Sequence, residues 1–256
     1  MTAVPVASLR RLEQVWVAAG IMAAAALAWS YTVRMARGTS MVHCGTAAAG
    51  LAGPWRTADW AMAFAMWAVM MAAMMLPTAV PVALTFARVN RERGQGPLVP
   101  LGAFVGGYLA VWSAFSALAT AGQWGLQAAS LLSSPALSTG PLLGGSLLIA
   151  AGAFQWSPWK DSCMTRCRSP LGLLLAHWRP GRRGSFELGV RYGAFCVGCC
   201  WALMVLSFAM GVMNLAWMAA LTVFMLAEKA PGGRWMSRAG GVGLAAWGVA
   251  LLWRFC

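Results

Sequence analysis

Three cysteines crowd into five residues of an apolar stretch, Cys196-Val197-Gly198-Cys199-Cys200. On an ideal helix with Cys196 at 0°, Cys199 falls at about −60° and Cys200 at about +40°, while Ser207 and Met210 fall at about +20° and −40°. Three thiols and a thioether therefore share one face, which suits ligation of a soft metal or dithiol redox chemistry. A single buried cysteine commonly behaves as a small hydrophobe; a run of three on one face goes beyond that pattern. Upstream, in Lys160-Asp161-Ser162-Cys163-Met164-Thr165-Arg166-Cys167-Arg168, the two cysteines stand one turn apart if the segment is helical. Lys160, Arg166 and Arg168 around them favour thiolate, the form that binds metal or attacks a disulfide.

A second set of sulfurs comes from methionine. Met62, Met66, Met70 and Met74 recur every fourth residue, and Met71 and Met75 form another pair at the same step. The first four make a slanted stripe about 18 Å long, drifting over about 120° of a helix surface. Packing between helices is the ordinary use of such a stripe; a ladder of soft thioether donors is the functional one. Met41, His43 and Cys44 form a compact trio on a loop, read as a capture site for the same kind of ion. Glu228 lies within about 80° of Asn214, Met218 and Met225 on its helix. It reads either as a hard ligand or proton acceptor near the thiols, or as a carboxylate reaching for the membrane interface as its neighbour Lys229 does. His177 and Cys256 stand alone.

Ligand softness selects the metal. Thiolate and thioether favour Cu(I), zinc sites rarely use Met, and calcium or magnesium need oxygen. With six acidic residues in the whole chain, hard cations are poorly served. The cofactor expected is copper as Cu(I), at Cys163, Cys167, Cys196, Cys199, Cys200, Met66, Met70, Met74, Met204, Glu228, His43 and Cys44.

These residues have to be positioned by membrane helices. Of 256 residues 60% are hydrophobic and 10% charged, against about 25% charged for a soluble domain. The formal charge of +13 does not point to nucleic acid, because the basic residues sit in short clusters between apolar runs. The fold class expected is all-α, one polytopic domain over residues 1–256 with about seven spans at 15–33, 60–87, 97–120, 140–157, 188–210, 213–228 and 235–254. Ala26-Leu27-Ala28 resembles a signal-peptidase site, which would leave six. Placing the N-terminus in the cytoplasm puts the basic residues inside except Arg34, Arg37, Arg56 and Arg254. Pro77 and Pro81 are expected to kink the Met-rich span. Seven cysteines, an odd number, argue against a purely disulfide framework.

Three patches resemble a known family: Met70-Met71-Ala72-Ala73-Met74-Met75-Leu76-Pro77, Lys160 through Cys163 to Cys167-Arg168-Ser169-Pro170, and Gly198-Cys199-Cys200-Trp201 with Met204. They are similar to the bacterial predicted metal-binding integral membrane proteins, domain of unknown function 2182, over about Ala58 to Lys229. The resemblance implies a multi-pass protein of the bacterial inner membrane with a metal site. Where that family commonly has a Leu and a His within the first Cys motif, this chain has Met164 and Arg166, so the resemblance lends no His ligand there.

The leading functional expectation is copper transport, delivery or storage, with the lipid bilayer, the metal ion and a copper-handling protein as partners. Two alternatives stand beside it. Cys196-x-x-Cys199, with Cys163 and Cys167 as a second pair, has the spacing of a membrane thiol–disulfide oxidoreductase. Glu228 and the thiols around one ion would suit a metal-dependent oxidase subunit. Nothing in the sequence speaks to oligomeric state.

Overall fold

The computed structural model describes residues 6–42, 55–94, 98–133, 138–230 and 232–254, and it is almost wholly helical. In chain order come α1 (Val6–Val42), α2 (Thr57–Glu92) and α3 (Leu98–Ala128), then a short antiparallel hairpin of β1 (Leu132–Ser133) and β2 (Ser138–Thr139). After it follow α4 (Pro141–Phe154), α5 (Pro158–Arg168), α6 (Pro170–His177), α7 (Gly181–Met210), α8 (Leu215–Lys229) and α9 (Arg234–Trp253).

The all-α expectation agrees with this fold, and the count of about seven spans is not confirmed by it. Among the described residues four helical segments are long and apolar enough to cross a membrane: Gln14–Arg37, Thr57–Glu92, Val99–Ala128 and Gly181–Met210. The spans expected at 140–157 and 213–228 are helices of 14 and 15 residues. At 1.5 Å per residue they rise about 21–23 Å, short of a hydrocarbon core of about 30 Å. The last helix, α9, is 20 residues long, but Arg234, Arg238, Gly240, Gly241, Gly243 and Gly248 dilute its apolar character.

α7 is the hub, packing against α3, α4, α5 and α8, while α2 packs against α1, α3 and α8. Glycine sets the closest of these approaches. A Cβ on Gly189 of α7 would fall 2.0 Å from the Phe104 carbonyl oxygen, and one on Gly107 of α3 would fall 2.2 Å from that of Phe186. A glycine on one side of each contact lets the facing Phe backbone come this close. The α4–α9 pair repeats the device antiparallel, with Gly145 against Gly248 and Gly152 against Gly241.

α2 remains helical through Pro77 and Pro81. Proline at position 77 frees the carbonyl of residue 73, and Trp29 of α1 donates its indole N–H to Ala73 O at 3.0 Å. A neighbouring helix thus supplies the hydrogen bond that proline removes. α1 is continuous through Ala26-Leu27-Ala28, the stretch resembling a cleavage site. The face of α2 toward the core carries Trp67, Met70, Met71, Met74, Met75 and Phe86, all nearly inaccessible. Trp67 satisfies its indole N–H on Gln123 Oε1 of α3 at 2.8 Å.

Candidate metal centre

The segment holding Cys163 and Cys167 is helical, as the one-turn spacing requires. Ser157 caps α5 by accepting the Trp159 N–H at 3.2 Å, and Pro158 occupies the first turn, where its missing N–H costs nothing. α5 turns Lys160, Cys163, Met164 and Cys167 inward. It is fastened by charge. Lys160 Nζ donates to both carboxylate oxygens of Glu228 on α8, at 2.7 and 2.9 Å, and to Gln155 Oε1. Arg168 Nε donates to the Glu228 carbonyl oxygen at 2.9 Å, and Arg234 of α9 pairs with Asp161 at 3.0 Å. Lys160 and Glu228 are 1% and 0% exposed, so the pair is shut away from solvent.

That clamp lays α5 across the middle of α7. Cys167 Sγ lies 3.9 Å from Cys199 Sγ, and Cys199 Sγ lies 3.3 Å from Cys200 Sγ. Cys199 also donates its S–H to the Cys196 carbonyl oxygen at 3.1 Å. Cys196, Cys199 and Cys200 are fully buried, and the five described cysteines are all free thiols. Cys199 and Cys200 lie side by side on α7, and Cys167 reaches Cys199 from α5.

Cys163 takes a different neighbour. Its Sγ packs against α7 where a Cβ on Gly198 would fall, at 2.9 Å. Burial pushes the Cys163 thiol up, against the weaker downward pull of Trp159 and Arg166. The basic surroundings were expected to favour thiolate, but at Cys163 desolvation of the charged form outweighs them.

Cys196 has partners that sequence reasoning missed. Lys229 of α8 donates to Cys196 Sγ at 3.1 Å and to Thr78 Oγ1 of α2 at 2.8 Å. The Tyr108 hydroxyl of α3 lies 3.3 Å from the same sulfur and 3.1 Å from Met75 O, which also accepts from Thr78. Lys229 was expected to reach for an interface; instead it turns inward. The available signal was its company: a lysine following directly on a carboxylate at the end of an apolar run is costly unless both have partners.

The methionines divide. Met70, Met71, Met74 and Met75 are fully buried, as are Met204, Met218 and Met225, whereas Met66 is half-buried and Met62 is 68% exposed. The inner rungs of the ladder therefore belong to the core and the first one does not. Met204 also lines an apolar cavity of about 490 Å³ together with Trp67, Phe115, Leu147 and Phe208. Glu228 is engaged by Lys160 through both oxygens, so the structure gives its carboxylate a cation rather than thiols as its neighbour. Asn214 caps α8, accepting the Trp217 N–H at 3.1 Å. His177 is exposed at the end of α6. His43, Cys44 and Cys256 lie outside the described residues.

Among the described residues no three His, Cys, Asp or Glu side chains converge as a metal site. Two thiols do approach a ligating separation. Two sulfurs each about 2.3 Å from one ion at a trigonal angle lie about 4.0 Å apart, and Cys167 and Cys199 stand at 3.9 Å. With Cys200 3.3 Å from Cys199 as a further thiol, the pair fits a soft ion of low coordination number.

Residues 64–251 match the PpoB2 family, described as copper chaperone. No curated protein and no solved structure matches the chain. A pair of close thiols agrees with that description, and the match covers most of the sequence, from the Met-rich helix α2 to the last turn of α9. The chain belongs to the PpoB2 copper chaperone family.

Proposed function

We propose that this protein is an integral membrane chaperone that carries Cu(I) as cargo on Cys167 and Cys199, with a buried methionine thioether completing the coordination. The observation that carries the reading is the 3.9 Å approach of those two sulfurs across the α5–α7 contact. The cargo replaces one proton on each thiol, and the Cu–S bonds need no further ionised ligand. Cys200, 3.3 Å from Cys199, is placed to take over one bond by exchange. Low coordination favours such hand-over, because an incoming donor can attach before the outgoing one leaves.

The buried rungs Met70 and Met74, together with Met71 and Met75, form the soft lining along which copper reaches the thiols. The chain acts as one domain in the bacterial inner membrane with its N-terminus in the cytoplasm, consistent with the distribution of its basic clusters. The resemblance of the three sulfur patches to predicted metal-binding membrane proteins supports the same reading, and the recipient is a copper-handling partner protein.

The test is metal analysis of the full chain purified in mild detergent without chelator, beside the Cys199→Ser, Cys200→Ser double variant. About one copper per chain in the parent and its loss in a variant that still inserts is the expected result. Copper retained at the parental level in that variant would refute the thiol site.

A further inference from the structure

Two clusters of tryptophan bracket the sulfurs. Where α2 begins and α3 ends, the Trp60 ring centroid lies 5.1 Å from that of Trp55 and 5.7 Å from that of Trp124. At the opposite end Trp156, Trp159 and Trp235 are exposed. Tryptophans gather in this way at the two interfaces of a membrane. The thiols stand at the level of the second cluster: a Cβ on Gly198, between Cys196 and Cys199, would fall 2.9 Å from Cys163 Sγ and 3.9 Å from Trp159 Nε1. α2 reaches that level at Thr78, whose Oγ1 accepts from Lys229 Nζ at 2.8 Å while the same ammonium donates to Cys196 Sγ at 3.1 Å. From Trp60 to Thr78 α2 rises about 27 Å, close to the roughly 30 Å of a hydrocarbon core. Met62, Met66, Met70 and Met74 fill this interval, and they pass from exposed through half-buried to fully buried. The ladder begins beside the first tryptophan cluster and ends one helical turn short of Thr78.

Resting on the copper reading above, we propose that the chain moves copper across the membrane, accepting Cu(I) at Met62 on the outer face and passing it down the ladder to the thiols at the cytoplasmic face. Beyond Thr78, α2 and its cap carry Arg88, Arg91 and Arg93, which makes that end the cytoplasmic one. Successive rungs rise about 6 Å. Methionine is long and flexible enough for the next sulfur to meet the ion before the last one lets go. Direction follows from the donors. A thiolate is charged and a thioether is neutral, so the hold on Cu(I) tightens toward the cytoplasmic end. Each ligand thiol gives up one proton as the ion arrives, and the copper remains Cu(I) throughout. Those protons leave to the aqueous side that α5 faces with Ser162, Thr165 and Arg166, all exposed. The recipient is accordingly a soft-ligand acceptor in the cytoplasm.

The transfer is measured in membrane vesicles from cells expressing the full chain, loaded with an impermeant chromophoric Cu(I) chelator and given ascorbate-reduced copper outside. Right-side-out vesicles should load copper faster than inverted ones and faster than vesicles without the protein. Met62→Leu with Met66→Leu removes the two outer sulfurs at nearly constant volume. It should slow loading by on the order of tenfold, the worth of one lost soft donor, while the purified variant in detergent holds the parental amount of copper. Parent vesicles that load no faster than protein-free ones, although the purified parent binds copper, would overturn the proposal and leave the thiol site standing. Inverted vesicles loading as fast as right-side-out ones would overturn it too, as would a double variant that loads at the parental rate. A parent that binds no copper in detergent would remove the copper reading and this inference together.

Discussion

Cys167 Sγ and Cys199 Sγ lie 3.9 Å apart, although they belong to different helices separated by 32 positions in sequence. Neither helix places its sulfur unaided. Cys199 follows from the pitch of α7, and Cys167 reaches it from α5, which packs on α7 and is held to α8 and α9 through Lys160, Arg168 and Asp161.

Replacing Cys167 should therefore cost more copper than replacing Cys163. Cys167→Ser substitutes a hard hydroxyl for one of two ligands, and a drop in Cu(I) affinity of at least about tenfold is expected, roughly the loss of one well-placed contact. Cys163→Ser should stay close to the parent, because its sulfur faces Gly198. Competition with a chromophoric Cu(I) chelator measures both, and equal losses would argue that Cys163 is also a ligand.

Cys163 should in addition report its burial through pH. Desolvation holds its thiol above the ordinary range, so the folded protein binds that proton more tightly than the unfolded chain does. The stability this contributes is complete below the unfolded thiol pKa and is lost as pH rises toward the folded value. In a Cys163-only background, alkylation under native conditions should accelerate at a higher pH than alkylation of a free thiol peptide. A profile matching the peptide would show that Arg166 and Trp159 offset the burial.

The helices and the shared face of Cys196, Cys199 and Cys200 were legible because both follow from local periodicity, which one stretch of sequence contains in full. The direction of Lys229 was not legible. Whether a terminal lysine points outward or inward depends on what meets it, and Thr78, Tyr108 and Cys196 come from three other parts of the chain. Glu228 shows the same limit, since its partner Lys160 lies 68 positions upstream. The lengths of the shorter helices were not legible either, since hydropathy registers α4 and α8 as apolar without registering that they stop after 14 and 15 residues.

Glycine substitutions should separate packing from chemistry. A side chain at Gly189 would drive into the Phe104 carbonyl, with its Cβ at 2.0 Å, so Gly189→Leu must push α3 and α7 apart. Overpacking of this kind typically costs about 1–3 kcal/mol and more where backbone is struck. Gly102 has open space around its Cβ position, and Gly102→Ala should be close to neutral. Monodisperse yield in detergent compares them; a well-folded Gly189→Leu protein would contradict the close α3–α7 contact.

The buried pair Lys160–Glu228 offers the strongest test of how the thiols are held. Glu228→Gln leaves the Lys160 ammonium enclosed without a counter-charge, and breaking one side of a buried pair costs about 3–5 kcal/mol. The double change Lys160→Met with Glu228→Met removes both charges together, and such replacements are often neutral for stability. A thiol-reactive fluorophore follows unfolding directly, because the five described cysteines are buried and free. Glu228→Gln should unfold at a clearly lower temperature than the parent, and the double variant should recover most of the loss. Copper should behave differently. Methionines cannot reproduce the directional contacts that aim α5, so the double variant should regain stability while its Cu(I) affinity stays below the parent. Full recovery of both would mean that apolar packing alone brings Cys167 to Cys199.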